Sequence, residues 1–228
     1  MVMVMKPMLL VNFKAYKNGT GKKALNLANI IEEVAIETNS NICIAVESSS
    51  IYIITRIITI PVFAQHIDCV DFGPYTGHVL AESIKEYGAY GTLLNHSERN
   101  IAKDKSEAYL KKCNNVGLKS VLCVSGLDEM KVAAKLNPDY IAFEDPTLIG
   151  SGKSISKMKP DLLKRFVDEL TETNRHVIPL CGAGISDRND IEIALKLGAE
   201  GVLVSSSIVN SNSPSEVLRD MASALNGW

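Results

Sequence analysis

The sequence predicts an α/β fold closed into a (β/α)8 barrel. Three observations carry this reading. Eight short aliphatic runs of strand length recur through the 228 residues, a helical spacing of apolar residues fills the gaps between them, and glycine-rich turns follow the late runs instead of the first.

The runs come in order as Met8–Asn12, Ile42–Val46, Pro61–Gln65, Gly91–Leu94, Ser120–Val124, Tyr140–Phe143, Val177–Leu180 and Gly201–Val204. Each is predominantly apolar, as a strand covered on both faces is. Helical spacing follows the first run at Ala24, Leu27, Ala28, Ile31 and Val34, ending at Thr38-Asn39. It follows the seventh at Ile191, Ala194, Leu195 and Leu197, ending at Gly198. Eight units of about 28 residues match the length of a single barrel. Periodicity alone also allows an open doubly wound sheet. Against that, no GxGxxG follows the first strand, whereas Gly150-Ser151-Gly152 and Gly182-Ala183-Gly184 follow the sixth and seventh. No linker or composition shift divides the chain, so residues 1–228 are expected to form one domain.

Composition narrows the function. A net charge of -2, from 24 basic and 26 acidic residues spread along the chain, provides no basic face and argues against a nucleic-acid partner. Five cysteines without CxxC spacing argue against a disulfide framework or a zinc site and fit reduced thiols in cytoplasm. The apolar start Met1 to Met5 is broken by Lys6-Pro7, and Ile51 to Phe63 is interrupted by Arg56 and Pro61, so neither a targeting segment nor a membrane span is expected.

In such a barrel the chemistry lies at the C-terminal ends of the strands. After the first comes Asn12-Phe13-Lys14, where a period of two puts Asn12 and Lys14 on one side and Phe13 on the other. After the fourth comes Asn95-His96-Ser97-Glu98-Arg99. A helix beginning at Ser97 would aim N–H groups at His96 and disfavour its protonation. The sixth ends in Glu144, on the side of the small Ala142, facing across the barrel mouth. Singly, each is as well read as a solvated loop charge or a structural histidine. Together they form an acid/base pair with a cation. Gly150, Gly184 and Ser205-Ser206-Ser207 offer small residues, and a short helix near Ser205, for holding a phosphate. They could equally be plain strand terminators. His66, His78 and His176 have no metal-ligand spacing, and Cys123 is read as a packed thiol.

Asn12-Phe13-Lys14, Asn95-His96-Ser97-Glu98-Arg99, Glu144 with Gly150 six residues later, and Cys181-Gly182-Ala183-Gly184 together resemble triosephosphate isomerase along essentially the whole chain. The Leu93-Leu94-Asn95-His96 variant, the Gly-Ala-Gly loop and the short length are similar to its shortened archaeal-type branch. The resemblance implies a TIM barrel and interconversion of dihydroxyacetone phosphate and glyceraldehyde 3-phosphate through an enediolate, in glycolysis and gluconeogenesis. It further implies Glu144 as the base, a neutral His96 that polarises the carbonyl, and Lys14 as the balancing cation, roles long known in this family. Asn12 would orient the substrate, and Ile149, Gly150, Gly184, Ser205 and Ser206 would hold its phosphate. Asp145 to Lys153 resembles the family's closing segment, Glu98 would buttress Lys14 or the His96 loop, and Gln65 to His78 resembles its interdigitating loop. No metal or cofactor is implied. The implied assembly is a cytoplasmic homo-oligomer, with a tetramer favoured over a dimer. The chain departs from the family in carrying Asp145 after the base, with Pro146 one place later, and Ser205-Ser206 where many members have two glycines.

Two other classes share the fold. A phosphate-binding lyase or metal-dependent epimerase should show several His and Asp ligands at strand ends, where this chain has Glu47, His66 and Glu144. A non-catalytic phosphate-binding barrel would have no reason to hold Lys14, His96 and Glu144 together.

Overall fold

In the computed structural model the described residues are 6–148, 153–182 and 184–228. Eight parallel strands are present: β1 (Met8–Asn12), β2 (Ile42–Val46), β3 (Val62–Ala64), β4 (Gly91–Leu94), β5 (Lys119–Val124), β6 (Tyr140–Phe143), β7 (Ile178–Cys181) and β8 (Gly201–Val204). They pair in sequence order, and β8 returns onto β1 with Met8 opposite Gly201, closing the barrel. The helices are α1 (Gly21–Thr38), α2 (Ser48–Ile54), α3 (Ala81–Glu86), α4 (Ser106–Val116), α5 (Leu127–Lys135), α6 (Ile155–Met158), α7 (Pro160–Thr173), α8 (Arg188–Lys196), α9 (Ser206–Val209) and α10 (Pro214–Ser223). No described helix is long and apolar enough to cross a membrane.

The strands fall where the aliphatic runs lie, with shifts at three of them. β3 is trimmed to three residues, because Pro61 has no N–H to give and joins the ladder only through its carbonyl, which accepts from Ile44. β5 begins one residue early at Lys119, and β7 runs one later, through Cys181, which pairs with both Phe143 and Val202.

Alternation along the strands divides the core in two. Met8, Leu10, Ala45, Phe63, Leu93, Val121, Ala142, Leu180 and Leu203 fill the barrel interior. Leu9, Val11, Ile44 and Ile141 face the helical shell. The shell answers with apolar stripes at helical spacing. In α1 the expected Ala24, Leu27, Ala28, Ile31 and Val34 are all buried, and Asn39 ends the helix at φ 50°. In α7, Leu163, Phe166, Val167 and Leu170 are buried, and Phe166 stacks on Phe143 with centroids 4.8 Å apart. Burying one such side chain contributes about 2 kcal/mol. In α8, Ile191, Ala194 and Leu195 are buried as expected.

Candidate active site

The inward face that carries Met8, Leu10 and Leu203 through the barrel continues, at the C-terminal rim, into Asn12 and Ser205. Both border a cavity of about 270 Å³ that is also lined by Lys14, His96, Glu144, Gly184 and Ser206. The expected site residues among the described ones therefore share one cavity. Ile149 and Gly150 lie outside the described residues.

Lys14 reaches the cavity by a different route from the alternation expected of it. β1 ends at Asn12, and Lys14 adopts φ 48°. Such a backbone costs a non-glycine residue about 1 kcal/mol or more and persists only where its surroundings fix it. Here the Lys14 N–H donates to Asn12 Oδ1 at 3.0 Å and Gln65 Nε2 donates to the Lys14 carbonyl at 3.1 Å. The result is a side chain 13% exposed, with Nζ 2.8 Å from Glu98 Oε1. Phe13, on the opposite side, is fully buried in the shell core.

The loop after β4 corrects the expected helix start at Ser97. The chain makes a tight turn there, with Arg99 N–H donating to the His96 carbonyl at 2.7 Å, and the first helical residues downstream are the 3-10 turn Lys103–Lys105. The organiser is Asn95, at φ 57°. Its amide nitrogen donates to the Cys123 carbonyl and Glu129, and its oxygen accepts from Ile101 N–H, so it holds the loop away from helical geometry. A backbone donor fixes the orientation of the ring instead. Glu98 N–H lies 3.1 Å from His96 Nδ1, which must accept, and the ring proton therefore sits on Nε2. Glu98 thus supports both Lys14, through its carboxylate, and the His96 loop, through its backbone.

Nε2 of His96 faces Glu144 Oε2 at 3.5 Å. Glu144 is held by its N–H to the Val124 carbonyl, and Gly182 packs against its stem. A Cβ at position 182 would lie 2.8 Å from Glu144 Cγ, so only glycine leaves the carboxylate where it is. On its other side Glu144 borders a second cavity of about 570 Å³ with Asn95, Ser97, Cys123 and Pro146. Burial first, then the adjacent Glu144 carboxylate, push the Cys123 thiol well above its ordinary range, as befits a packed thiol.

Asp145, the departure beside the base, is turned away from the cavity. Its Oδ1 accepts from Thr147 N–H and Oγ1 at 2.9 and 2.7 Å, and its Oδ2 from Lys159 Nζ at 2.5 Å. Burial would raise this carboxyl, but Lys159 and Thr147 outweigh it and hold it below the usual range.

At the far end of the cavity Ser205 Oγ donates to the Asn12 carbonyl at 2.7 Å, and the expected short helix is α9. Gly184, at φ 73°, lies so close to the Lys153 carbonyl that an added Cβ would stand 1.9 Å from it. Tyr16, Ile185 and Ser186 also line the cavity and were not singled out from sequence. Ile185 and Ser186 directly follow Gly184, and Tyr16 stands two residues after Lys14, so proximity in sequence was the available signal. Among the described residues no cluster of three or more His, Cys, Asp or Glu side chains is arranged to hold a metal ion.

The chain is similar to known proteins along nearly all its length. A family model described as triosephosphate isomerase matches residues 7–222. The triosephosphate isomerase of Methanobacterium bryantii is 43% identical over 219 residues, covering 96% of this chain and 97% of that one. That of Methanocaldococcus jannaschii is 41% identical over 214 residues, covering 94% and 98%. The crystal structure of triosephosphate isomerase from Bartonella henselae superposes with a TM-score of 0.72 over 97% of this chain and 100% of that one. At 17% identity that last likeness concerns the fold alone.

Proposed function

The chain belongs to the triosephosphate isomerase family and interconverts dihydroxyacetone phosphate and glyceraldehyde 3-phosphate, and on that premise we propose that Glu144, His96 and Lys14 carry the reaction. The observation behind this assignment is the buried pairing of His96 Nε2 with Glu144 Oε2 at 3.5 Å beside the Lys14 ammonium.

The Glu144 carboxylate removes the proton from the substrate carbon and returns it to the neighbouring carbon. A carboxylate is a weak base toward a carbon acid, so the oxyanion that forms must meet donors already in place. His96 Nε2–H is such a donor, and it passes a proton between the two oxygens. Lys14 offsets the charge of enediolate and phosphate. Asn12 orients the substrate. Gly184, Ser205 and Ser206, with Ile149 and Gly150, hold the phosphate, because small residues let backbone groups close on the dianion.

Residues 1–228 act as one domain, without metal or cofactor, in the cytoplasm and in glycolysis and gluconeogenesis. The active form is a homo-oligomer, a tetramer in preference to a dimer, associating through the loop 65–78, where Phe72 is 77% exposed. A coupled isomerisation assay on purified, chelator-treated protein tests the central reading. Turnover that persists after chelation and is abolished in Glu144→Gln supports it, and turnover that depends on added metal overturns it.

A further inference from the structure

Outside the reacting groups, Asp190 carries a full set of polar partners near the C-terminal ends of the strands. It lies in the first turn of α8, is 1% exposed, and divides its two oxygens between two different segments. Oδ2 accepts from Ser186, from the N–H at 2.8 Å and from Oγ at 2.9 Å, and Ser186 lines the cavity. Oδ1 accepts from Ser154 Oγ at 2.5 Å and Lys157 Nζ at 2.8 Å, both on the segment that follows β6.

The ordinary explanation of such a residue is helix capping, and Asp190 does complete a capping box with Asp187. Capping accounts only for the contact to Asp187 N–H, which at 3.3 Å is the longest of the set. It does not call for a second oxygen bonded to residues more than thirty positions earlier. A buried carboxylate is costly unless every lone pair is used, and here each oxygen is used on a different segment. The same two segments meet again where Gly184 abuts the Lys153 carbonyl.

We propose that Asp190 is a positioning residue for the phosphate end of the site. By binding Ser154 with one oxygen and Ser186 with the other, it fixes the cavity-lining loop Gly184 to Ser186 against the segment that follows β6. This rests on the reading of the Gly184 and Ser205 end as the phosphate end.

Asp190→Asn tests it, since an amide keeps the size but cannot accept on both sides. Whichever way it turns, its NH2 group faces either the Ser186 N–H or the Lys157 ammonium. The expected result is a loss on the order of 10²-fold in kcat/KM for glyceraldehyde 3-phosphate. The slow turnover of glyceraldehyde, which has no phosphate to place, stays unchanged. Equal loss on both substrates, or loss on neither, overturns the proposal. Should Asp190→Asn fail to fold, Ser154→Ala decides. It removes one arm of the bridge, and its control is Ser156→Ala, whose hydroxyl binds the Asp190 carbonyl and the Ser154 hydroxyl but not the carboxylate. Selective loss in Ser154→Ala alone upholds the proposal, and identical behaviour of the two variants defeats it. Glu144→Gln must lose both substrates in the same assay. If it does not, the reading of the reacting groups fails, whatever Asp190 does.

Discussion

His96 and Glu144 face one another across 3.5 Å with side chains 6% and 8% exposed, and Glu144 Oε2 has no hydrogen-bond partner among the described residues. A buried carboxylate oxygen without a donor is an expensive arrangement, and one that a base awaiting a proton needs. Glu144→Gln keeps the shape and removes the basicity. We predict that kcat falls on the order of 10³-fold while KM changes little. Steady-state kinetics check this, and a variant with ordinary kcat defeats the assignment.

Gly182→Ala attacks the same carboxylate indirectly. Position 182 lies outside the positive-φ region, so alanine adds no backbone strain, and the new methyl meets Glu144 Cγ at 2.8 Å. The expectation is a melting temperature near that of the parent together with a drop in kcat on the order of 10²-fold. A large loss of stability with normal kcat would show that the contact is relieved elsewhere.

Lys14→Met keeps the aliphatic stem and deletes the cation beside both halves of the substrate. KM should rise and kcat should fall together, and raised salt should weaken the parent's binding of substrate but leave the variant indifferent. Unchanged constants would remove Lys14 from the site.

Asp145 makes a prediction about acid. Its carboxyl is held below the ordinary 3.8 of the unfolded chain, burial being outweighed by Lys159 and Thr147. A depressed folded-state value means stability that is present above the unfolded value and lost as pH falls through the folded one. Asp145→Asn should therefore melt lower than the parent at pH ~7, and the gap should narrow only as pH is taken below the ordinary 3.8 and through the lowered folded value. Thermal melts across this pH range measure it, and a gap independent of pH refutes the assignment.

Association is tested at Phe72. The base of its loop is tied down by Lys112, which is buried and pairs with Asp71 at 2.7 Å and Glu82 at 2.6 Å, so the exposed ring is presented on a fixed support. Phe72→Ser should shift sedimentation toward smaller species at micromolar concentration. A parent that already sediments as an active monomer would overturn the oligomer.

The barrel was legible because each strand is buried on both faces and so reads as a predominantly apolar run. Its ends were less so, since Pro61 and Cys181 are settled by neighbouring strands and not by their own preferences. Asn12, Lys14, His96, Glu144, Ser205 and Ser206 were legible as candidates because polar residues at strand ends stand out against such runs, and Gly184 because it sits in a small-residue turn after the seventh, and all of them line one cavity. Ser97 was misread as a helix start because serine before Glu98 and Arg99 has the right composition, while Asn95 directs the loop through partners as distant as Glu129. Asp190 was invisible for the same reason: its meaning lies in Ser154, and nothing local announces a partner that far away.

The contact between Gly184 and the Lys153 carbonyl bears on how this barrel can be taken apart and rebuilt. Eight similar units invite exchange, one βα module for another, as in the making of chimeras. Here the sixth and seventh are cut to each other: any side chain at 184 would displace the backbone of the preceding module, and Ser154 is bonded into the helix of the next. Neither can be swapped alone without importing a surface shaped for an absent neighbour. The smallest transplantable piece that keeps this contact intact runs from the start of β6 to the end of α8.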